Sequence, residues 1–416
     1  MRMRILLLTD FYLPTVGGIE RHVALLGEHL TARGHEVAVC TVRQPNSEPF
    51  ESNNGLEVHR LESLFLRMPL SHLDAAKRYH PPFTDPQITA GLRELVKEFK
   101  PDIIHSHGWM VFSYLPLKKR MDIPVIATLH NFGFICPRQD FFLDSKGVCA
   151  TPLTAKCFPC SALQYGKFKA MIMLPIVKRN LRSLSQIDRF LAVSTFVRDT
   201  HMRFLDQPSD RISRLPNFCD GRTENGSDVS GILPEDFILY VGPLAPHKGI
   251  DVLIKAYHLA RVDIPLVILG TKHLAFDYGK FEERNRIIVF EDPPRNLVVR
   301  ALEKCRFIVL PSICADACPT VLIEAMKYGK AAIASRVGGI PDLVVDNETG
   351  LLVLPGDASS LAGAMQRMAG MEGECNELGE RARSRFAEYF TVEKVVQDLE
   401  SIYQSTVHFD RRNIGR

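Results

Sequence analysis

Twelve short runs of Val, Ile and Leu recur along the chain, separated by segments of helical periodicity. Runs at 4–8, 36–42, 56–60, 102–106, 123–128 and 189–193 fill the first half, and runs at 237–241, 265–269, 286–290, 306–310, 331–334 and 351–354 fill the second. Most are continuous rather than alternating, as in strands covered on both faces. Helical patterns at 19–33, 86–99, 249–261, 319–328 and 358–370 fall between them. Strand–helix alternation of this kind predicts an α/β protein with doubly wound parallel sheets. The chain has 416 residues, too many for one ordinary core, so the pattern is expected to build two such domains. Pro216-Asn217 ends the first half, and the Gly-, Ser-, Asn- and Asp-rich residues 220–231 suit an exposed linker. The predicted domains are 1–220 and 221–390, followed by a helical tail at 391–416. Open parallel sheets bind ligands outside the carboxyl ends of their strands. Two such domains facing each other are therefore expected to form a ligand cleft.

Composition removes several classes of function. A net charge of +3 is too small to imply nucleic acid. The N-terminal apolar run Ile5–Leu8 is far shorter than a membrane span or a secretory signal. A cytoplasmic location is expected, with the ten cysteines reduced or metal-bound.

Residues 314–329, Cys-Ala-Asp-Ala-Cys-Pro-Thr-Val-Leu-Ile-Glu-Ala-Met-Lys-Tyr-Gly, carry the most chemistry. Pro319 suits the first helical position and Gly329 a helix stop. The amides of Thr320 and Val321 then face outward at the positive end of the helix dipole, where a phosphate is favoured. Glu324 lies four residues beyond Thr320, on the same face. One carboxylate, Asp316, precedes the anion site and another stands a turn behind it. That order suits a nucleotide-sugar, with Glu324 on the ribose diol and Asp316 on the sugar hydroxyls. An ordinary loop and helix with solvated acids is the competing reading.

Other turns sit at predicted strand ends. Gly17 and Gly18 open the first helix, lack a GxGxxG spacing, and disfavour a dinucleotide. Lys248, in Pro-Leu-Ala-Pro-His-Lys-Gly, opposes a helix dipole unless it faces a bound pyrophosphate. Gly339 belongs to a third glycine turn, Gly338-Gly339-Ile340-Pro341-Asp342. His130 ends the strand Ile126–Leu129, and His105 and His107 end the preceding one. Each is expected either to face the ligand and titrate near neutrality or to hold a structural hydrogen bond.

Cys136, Cys149, Cys157 and Cys160 follow the spacing Cys-x12-Cys-x7-Cys-x2-Cys within one insertion, 136–160. Four thiolates there could hold a structural zinc and fold a loop with little core of its own, with an iron–sulfur cluster and four unrelated thiols as the competing readings. Cys314 and Cys318 are expected only to pack beside Asp316. Residues 166–184 mix Lys and Arg with Phe, Met, Ile and Leu, a pattern that suits an anionic membrane surface. Core packing explains the apolar face as well, and Pro175 is expected to interrupt the helix.

Taken together, these motifs resemble family 4 of the retaining glycosyltransferases, which have the GT-B fold. The resemblance runs from Met3 to about Tyr403. It rests on Gly17-Gly18-Ile19-Glu20, on Lys248, on the Asp316/Glu324 spacing that matches a Glu-x7-Glu motif, and on Gly338-Gly339-Ile340-Pro341-Asp342 and Thr349-Gly350-Leu351-Leu352-Val353. The last helix, about 392–405, resembles one that crosses back to the first domain. Two positions depart from the family pattern. Pro243 stands where an arginine would clamp a phosphate, and Asp316 is one methylene shorter than glutamate. His247 or Arg295 are the candidates to replace the missing cation.

The resemblance implies a hexosyltransferase that moves a sugar from a UDP- or GDP-linked donor with retention. Lys248 and the Thr320 and Val321 amides would neutralise the leaving diphosphate, and His130 would approach the sugar from the acceptor side. A front-face mechanism without a catalytic metal follows from the same resemblance. The expected acceptor is a glycan or lipid-linked precursor at the inner face of a membrane. A non-catalytic nucleotide-sugar-binding protein and a sugar-nucleotide epimerase are the rival readings.

Overall fold

The structure is a computed structural model, described here for residues 2–15, 17–65, 80–143, 147–205, 209–220, 231–271 and 286–414. The strands in chain order are β1 Arg4–Thr9, β2 Glu36–Val42, β3 Phe50–Asn53, β4 Leu56–Leu61, β5 Ile103–Ser106, β6 Val125–Leu129, β7 Phe142–Leu143, β8 Gly147–Val148, β9 Arg189–Ala192 and β10 Ile212–Arg214. They continue as β11 Ile238–Val241, β12 Leu266–Gly270, β13 Ile287–Glu291, β14 Phe307–Leu310, β15 Ala332–Ser335 and β16 Gly350–Val353. The chain separates into two compact units. One comprises Met1–Phe141, Cys149–Pro216 and Val395–Arg416, and the other Phe142–Val148 and Asn217–Lys394. Most of the linker predicted at 220–231 lies outside the described residues.

The first unit holds an eight-stranded sheet in the order β10-β9-β6-β5-β1-β2-β4-β3. All its pairings are parallel except β3 with β4. The second unit holds a six-stranded, wholly parallel sheet in the order β13-β12-β11-β14-β15-β16. Helices cover both sheets, so the central strands have no solvent face. Ile5 to Leu8 and Phe237 to Tyr240 are completely buried. This double burial is why their sequences read as unbroken apolar runs.

Helix ends follow local chemistry. Asp85 caps the helix Pro86–Phe99 by accepting from the amides of Gln87 and Ile88, and Pro86 takes the first helical position. Asp357 caps Ala358–Gly370 in the same way, through Ser359 and Ser360. The residues 167–183 form one helix through Pro175, so the expected interruption does not occur. Proline removes one amide donor there but does not end the run. The edge strand β3 escapes an apolar-run search because all four of its residues are exposed. Its signature is the Asn54-Gly55 turn, with φ of 50° and 85°, the left-handed pair that a two-residue hairpin requires.

The last helix, Val392–Ile414, is longer than the periodicity predicted, and from Val395 it belongs to the first unit. Glu400 accepts from Arg33 Nε at 2.9 Å and Nη2 at 2.7 Å, and lies 2.9 Å from His35 Nε2. The Arg33 guanidinium holds the Glu400 carboxyl below its ordinary range, with His35 adding to the effect against the cost of burial. Three residues on, the Tyr403 hydroxyl is hydrogen-bonded at 2.6 Å to Nδ1 of the buried His105. Replacing Tyr403 with Phe leaves that nitrogen buried without its partner. The expected cost is about 1–3 kcal/mol, to be measured as a lowered urea midpoint with unchanged slope.

Candidate functional site

Sheet topology selects two places. In the first sheet the chain lays β2 and β4 on one side of β1 and returns with β5 on the other. In the second it lays β12 and β13 on one side of β11 and returns with β14 on the other. The loops beyond β1/β5 and β11/β14 therefore diverge, leaving a crevice at the carboxyl ends of the strands.

In the second unit this crevice collects the predicted donor-binding residues. The 311–316 loop leaves β14 and is wedged between two turns. On one side His247 O accepts from the amides of Ile313 and Cys314 at 3.0 and 3.2 Å. On the other, Asp316 O accepts from the Gly339 amide at 2.7 Å. Two glycines permit this contact. Gly249 has φ +75°, and a Cβ there would lie 2.0 Å from Pro311 O. Gly338 has φ +59°, and a Cβ there would lie 2.4 Å from Asp316 O. The residue predicted for this role, Gly339, has an ordinary φ of −84° and caps the short helix Ile340–Leu343, so Gly338 makes the close approach.

Within that wedge Lys248 Nζ contacts Asp316 Oδ1, and the other Asp316 oxygen accepts from Ser312 Oγ. Burial opposes the charge on Lys248, but Asp316, aided by Cys314, holds its pKa above the usual lysine value. The lysine therefore stays cationic at neutral pH. It sits in the 3-10 turn Pro246–Lys248, with 20% of its side chain exposed against 12% for Asp316. A second ion pair joins the helices that follow β13 and β14: Arg295 Nη1 donates to Glu324 Oε2 at 2.7 Å. Arg295 opens the helix after β13, and Glu324 lies within the helix Thr320–Lys327. Pro319 takes the cap position of that helix, one place earlier than expected. Thr320 and Val321 occupy its first turn, where backbone amides have no partner within the helix. Cys314 and Cys318 are buried, and Cys318 O accepts from Asn217 Nδ2 at 3.1 Å.

In the first unit Gly17 precedes, and Gly18 begins, the helix Gly18–Ala32. A Cβ on Gly18 would meet nothing within 4 Å, so the helix start is open there. His22 on that helix, His107 beyond β5 and His130 beyond β6 bring one ring nitrogen each to within 4.8 Å of the other two. His107 Nδ1 lies 2.9 Å from His130 Nε2. Of the two readings offered for His105 and His107, burial disfavours titration near neutrality. Burial pushes His105 down to about 3, with His22 adding to the shift, and pushes His107 well below its ordinary value, with His105, His130 and His22 adding. Burial also holds His22 at about 4. His105 is structural, bound to Tyr403 and to Thr128 Oγ1 at 2.7 Å.

Asp10, just beyond β1, was not singled out by the sequence. Its two oxygens accept from the amides of Trp109 and Met110 at 2.9 and 2.8 Å, tying the β1 loop to the β5 loop. Burial raises its pKa to about 6, against the pull of those two amides. Gly108 packs closely on the same carboxylate, since an added Cβ would lie 2.4 Å from Asp10 Oδ2, an approach that only the folded chain reveals.

Among the described residues, His22, His107 and His130 are the one group of three or more metal-ligand atoms lying within 4.8 Å of each other. Cys136, Cys149, Cys157 and Cys160 are not joined in disulfides and do not form such a group among the described residues.

The profile described as Glycosyltransferase Family 4 matches residues 16–221, and that described as Glycosyl transferases group 1 matches 224–385. An uncharacterized glycosyltransferase of Methanocaldococcus jannaschii is 30% identical, covering 96% of this chain and 97% of its own. The chain belongs to glycosyltransferase family 4. A GDP-mannose-dependent alpha-mannosyltransferase of Mycolicibacterium smegmatis is 27% identical over 84% of both chains. Anabaena HepE, solved with UDP-glucose, superposes with a TM-score of 0.67 at 16% identity, over 97% of this chain and 100% of that one. The fold is GT-B, and the protein is a glycosyltransferase. That membership replaces the binding-protein and epimerase readings.

The buried histidines set a pH dependence. His22, His80 and His201 stand at about 4 and His105 at about 3, all lowered chiefly by burial, and His107 is lowered as well. The unfolded chain protonates such groups below about 6.5. Their contribution is complete above that pH and is lost as pH falls toward the folded values. Asp10 acts oppositely, since its folded pKa is raised, but it is one group against five. The melting temperature should fall steadily from pH 6.5 to pH 4.5 and stay level from pH 7 to pH 8, as scanning calorimetry would show. Gly338→Ala should lower it at every pH by more than about 1 kcal/mol of stability.

Proposed function

We propose that the second unit binds a UDP- or GDP-linked sugar and that the protein transfers the sugar with retention to a glycan or lipid-linked acceptor. The observation that carries this is the pairing of Lys248 with Asp316 and of Arg295 with Glu324, on segments that follow β11, β13 and β14, with the first turn of Thr320–Lys327 on one of them. Two cations and an open helix start suit a diphosphate. Each carboxylate has a lone-pair side to offer hydroxyls. Lys248 would hold the diphosphate, assisted by the Thr320 and Val321 amides. Arg295 would supply the second cation that Pro243 cannot. Glu324 would take the ribose diol and Asp316 the sugar hydroxyls.

In the proposed step the bond from the anomeric carbon to the diphosphate breaks, with its electron pair leaving on the phosphate oxygen. The acceptor oxygen bonds to the same face of that carbon, and its proton passes to the departing phosphate. Fixed charges at Lys248 and the helix start stabilise the developing negative charge without reorganising. His130, in the first unit, would orient the acceptor hydroxyl. No step uses a divalent metal.

Lys248→Ala and Arg295→Ala should each weaken binding of the preferred UDP- or GDP-sugar at least about tenfold, as expected for losing a charged contact. Calorimetric titration would measure this, and proton NMR of the product anomer would test retention. Unchanged affinity in both variants, or an inverted product, would sink this reading.

A membrane-facing acceptor is supported by the helix Lys167–Ser183. Phe168, Met171 and Ile172 are 62%, 57% and 42% exposed on it, among Lys167, Lys169, Lys178 and Arg179. Among the described residues no helix is long and apolar enough to cross a membrane. Apolar side chains inserted below a basic collar would hold the protein on an anionic surface. Co-sedimentation with phosphatidylglycerol vesicles should be strong for the native chain and lost in the double variant Phe168→Asp, Met171→Asp. Equal sedimentation of both proteins, or none of either, would count against it.

A further inference from the structure

We propose that Cys136, Cys149, Cys157 and Cys160 together bind one zinc ion, which fastens the insertion that carries them. The local structure around each sulfur is that of a ligand held for a metal. Cys136 begins a tight turn in which Gln139 N donates to Cys136 O at 3.0 Å. The backbone amides of Arg138, Gln139 and Phe141 also face its sulfur. The chain then forms the β7–β8 hairpin and returns to Cys149, whose amide donates to Phe141 O at 2.8 Å. Its sulfur faces the Thr151 amide. Cys157 opens the helix Cys157–Tyr165, and Cys160 follows three residues later on the same face. The Leu153 amide donates to Cys157 Sγ at 3.0 Å, and Arg138 Nη1 donates to Cys160 Sγ at 3.5 Å. Amides aimed at sulfur are the outer-shell support that orients thiolate ligands.

Arg138 links two of the four, its backbone amide facing the Cys136 sulfur and its guanidinium donating to Cys160 Sγ. Asp140 acts electrostatically on Cys136, Cys149 and Cys160, and Cys157 acts on Cys149 and Cys160. A turn, the residue after a hairpin and a helix start thus supply four thiols within one short insertion. Zinc binding would release four protons and draw four thiolates to about 2.3 Å from the ion. The resulting site carries two net negative charges, and the Arg138 guanidinium beside Cys160 offsets part of them.

The test uses the full chain purified without chelator. Elemental analysis should find about one zinc per chain. Titration with an organomercurial, followed with a chromogenic zinc indicator, should release it in step with four thiols. Cys157→Ser and Cys136→Ser should each lose the ion, whereas Cys40→Ser and His22→Ala should retain it. If the serine variants fail to fold, cobalt added to chelator-treated native protein provides a second readout. It should give the intense visible and near-ultraviolet bands of a tetrahedral thiolate site. Zinc absent with no cobalt thiolate bands, iron in its place, or zinc lost from His22→Ala but kept in both cysteine variants would overturn the proposal.

Discussion

Parallel pairing is the constraint on which everything else rests. A parallel strand cannot be reached by a tight turn, so each β-strand is followed by a crossover that usually carries a helix. Strand ends of one polarity, with the helix starts that follow them, therefore collect on one edge of the sheet. Apart from the β3–β4 hairpin, both units obey this rule, and in both the chain reverses its direction of growth beside the first strand. The candidate site residues stand at those reversals: Lys248 and Asp316 beyond β11 and β14, Asp10 and His107 beyond β1 and β5.

The two crevices solve the burial of polar groups differently. In the second unit opposite charges are paired, so cations remain cations although little of them is exposed. In the first, imidazoles are packed against each other and lose their charge instead. Neighbouring rings of like kind make each protonation harder, which is why His107 is pushed down by three histidines besides its own burial. A neutral imidazole can both donate and accept, so this cluster can orient a hydroxyl where a charged one could only donate.

Much of this was legible in the sequence because the underlying signals are local. Buried parallel strands leave unbroken apolar runs, and Asp85 with Pro86 marks a helix start without any tertiary information. The spacing of Asp316 and Glu324 places both near one helix start for the same reason. What was not legible depends on contacts between distant segments. Gly338 and Gly339 look alike until the 311–316 loop is laid against them. Arg295 could be suspected as a replacement for the missing arginine, but its bond to Glu324 joins two different helices. Asp10 is an unremarked acid at a strand end until the Trp109 and Met110 amides close on it. The protonation of His105 and His107 depended on burial by segments far along the chain.

The final helix gives the assembly of the molecule an unusual order. His105 and Tyr403 are separated by 298 positions, yet one hydroxyl completes the hydrogen bonding of the other's ring. A ribosome making this chain delivers the whole second unit before it delivers Tyr403. Until then the early half lacks the contacts that Glu400 makes with Arg33 and His35. The part that begins first is finished last, so a nascent chain halted before residue 395 would leave its opening half incomplete and open to chaperones.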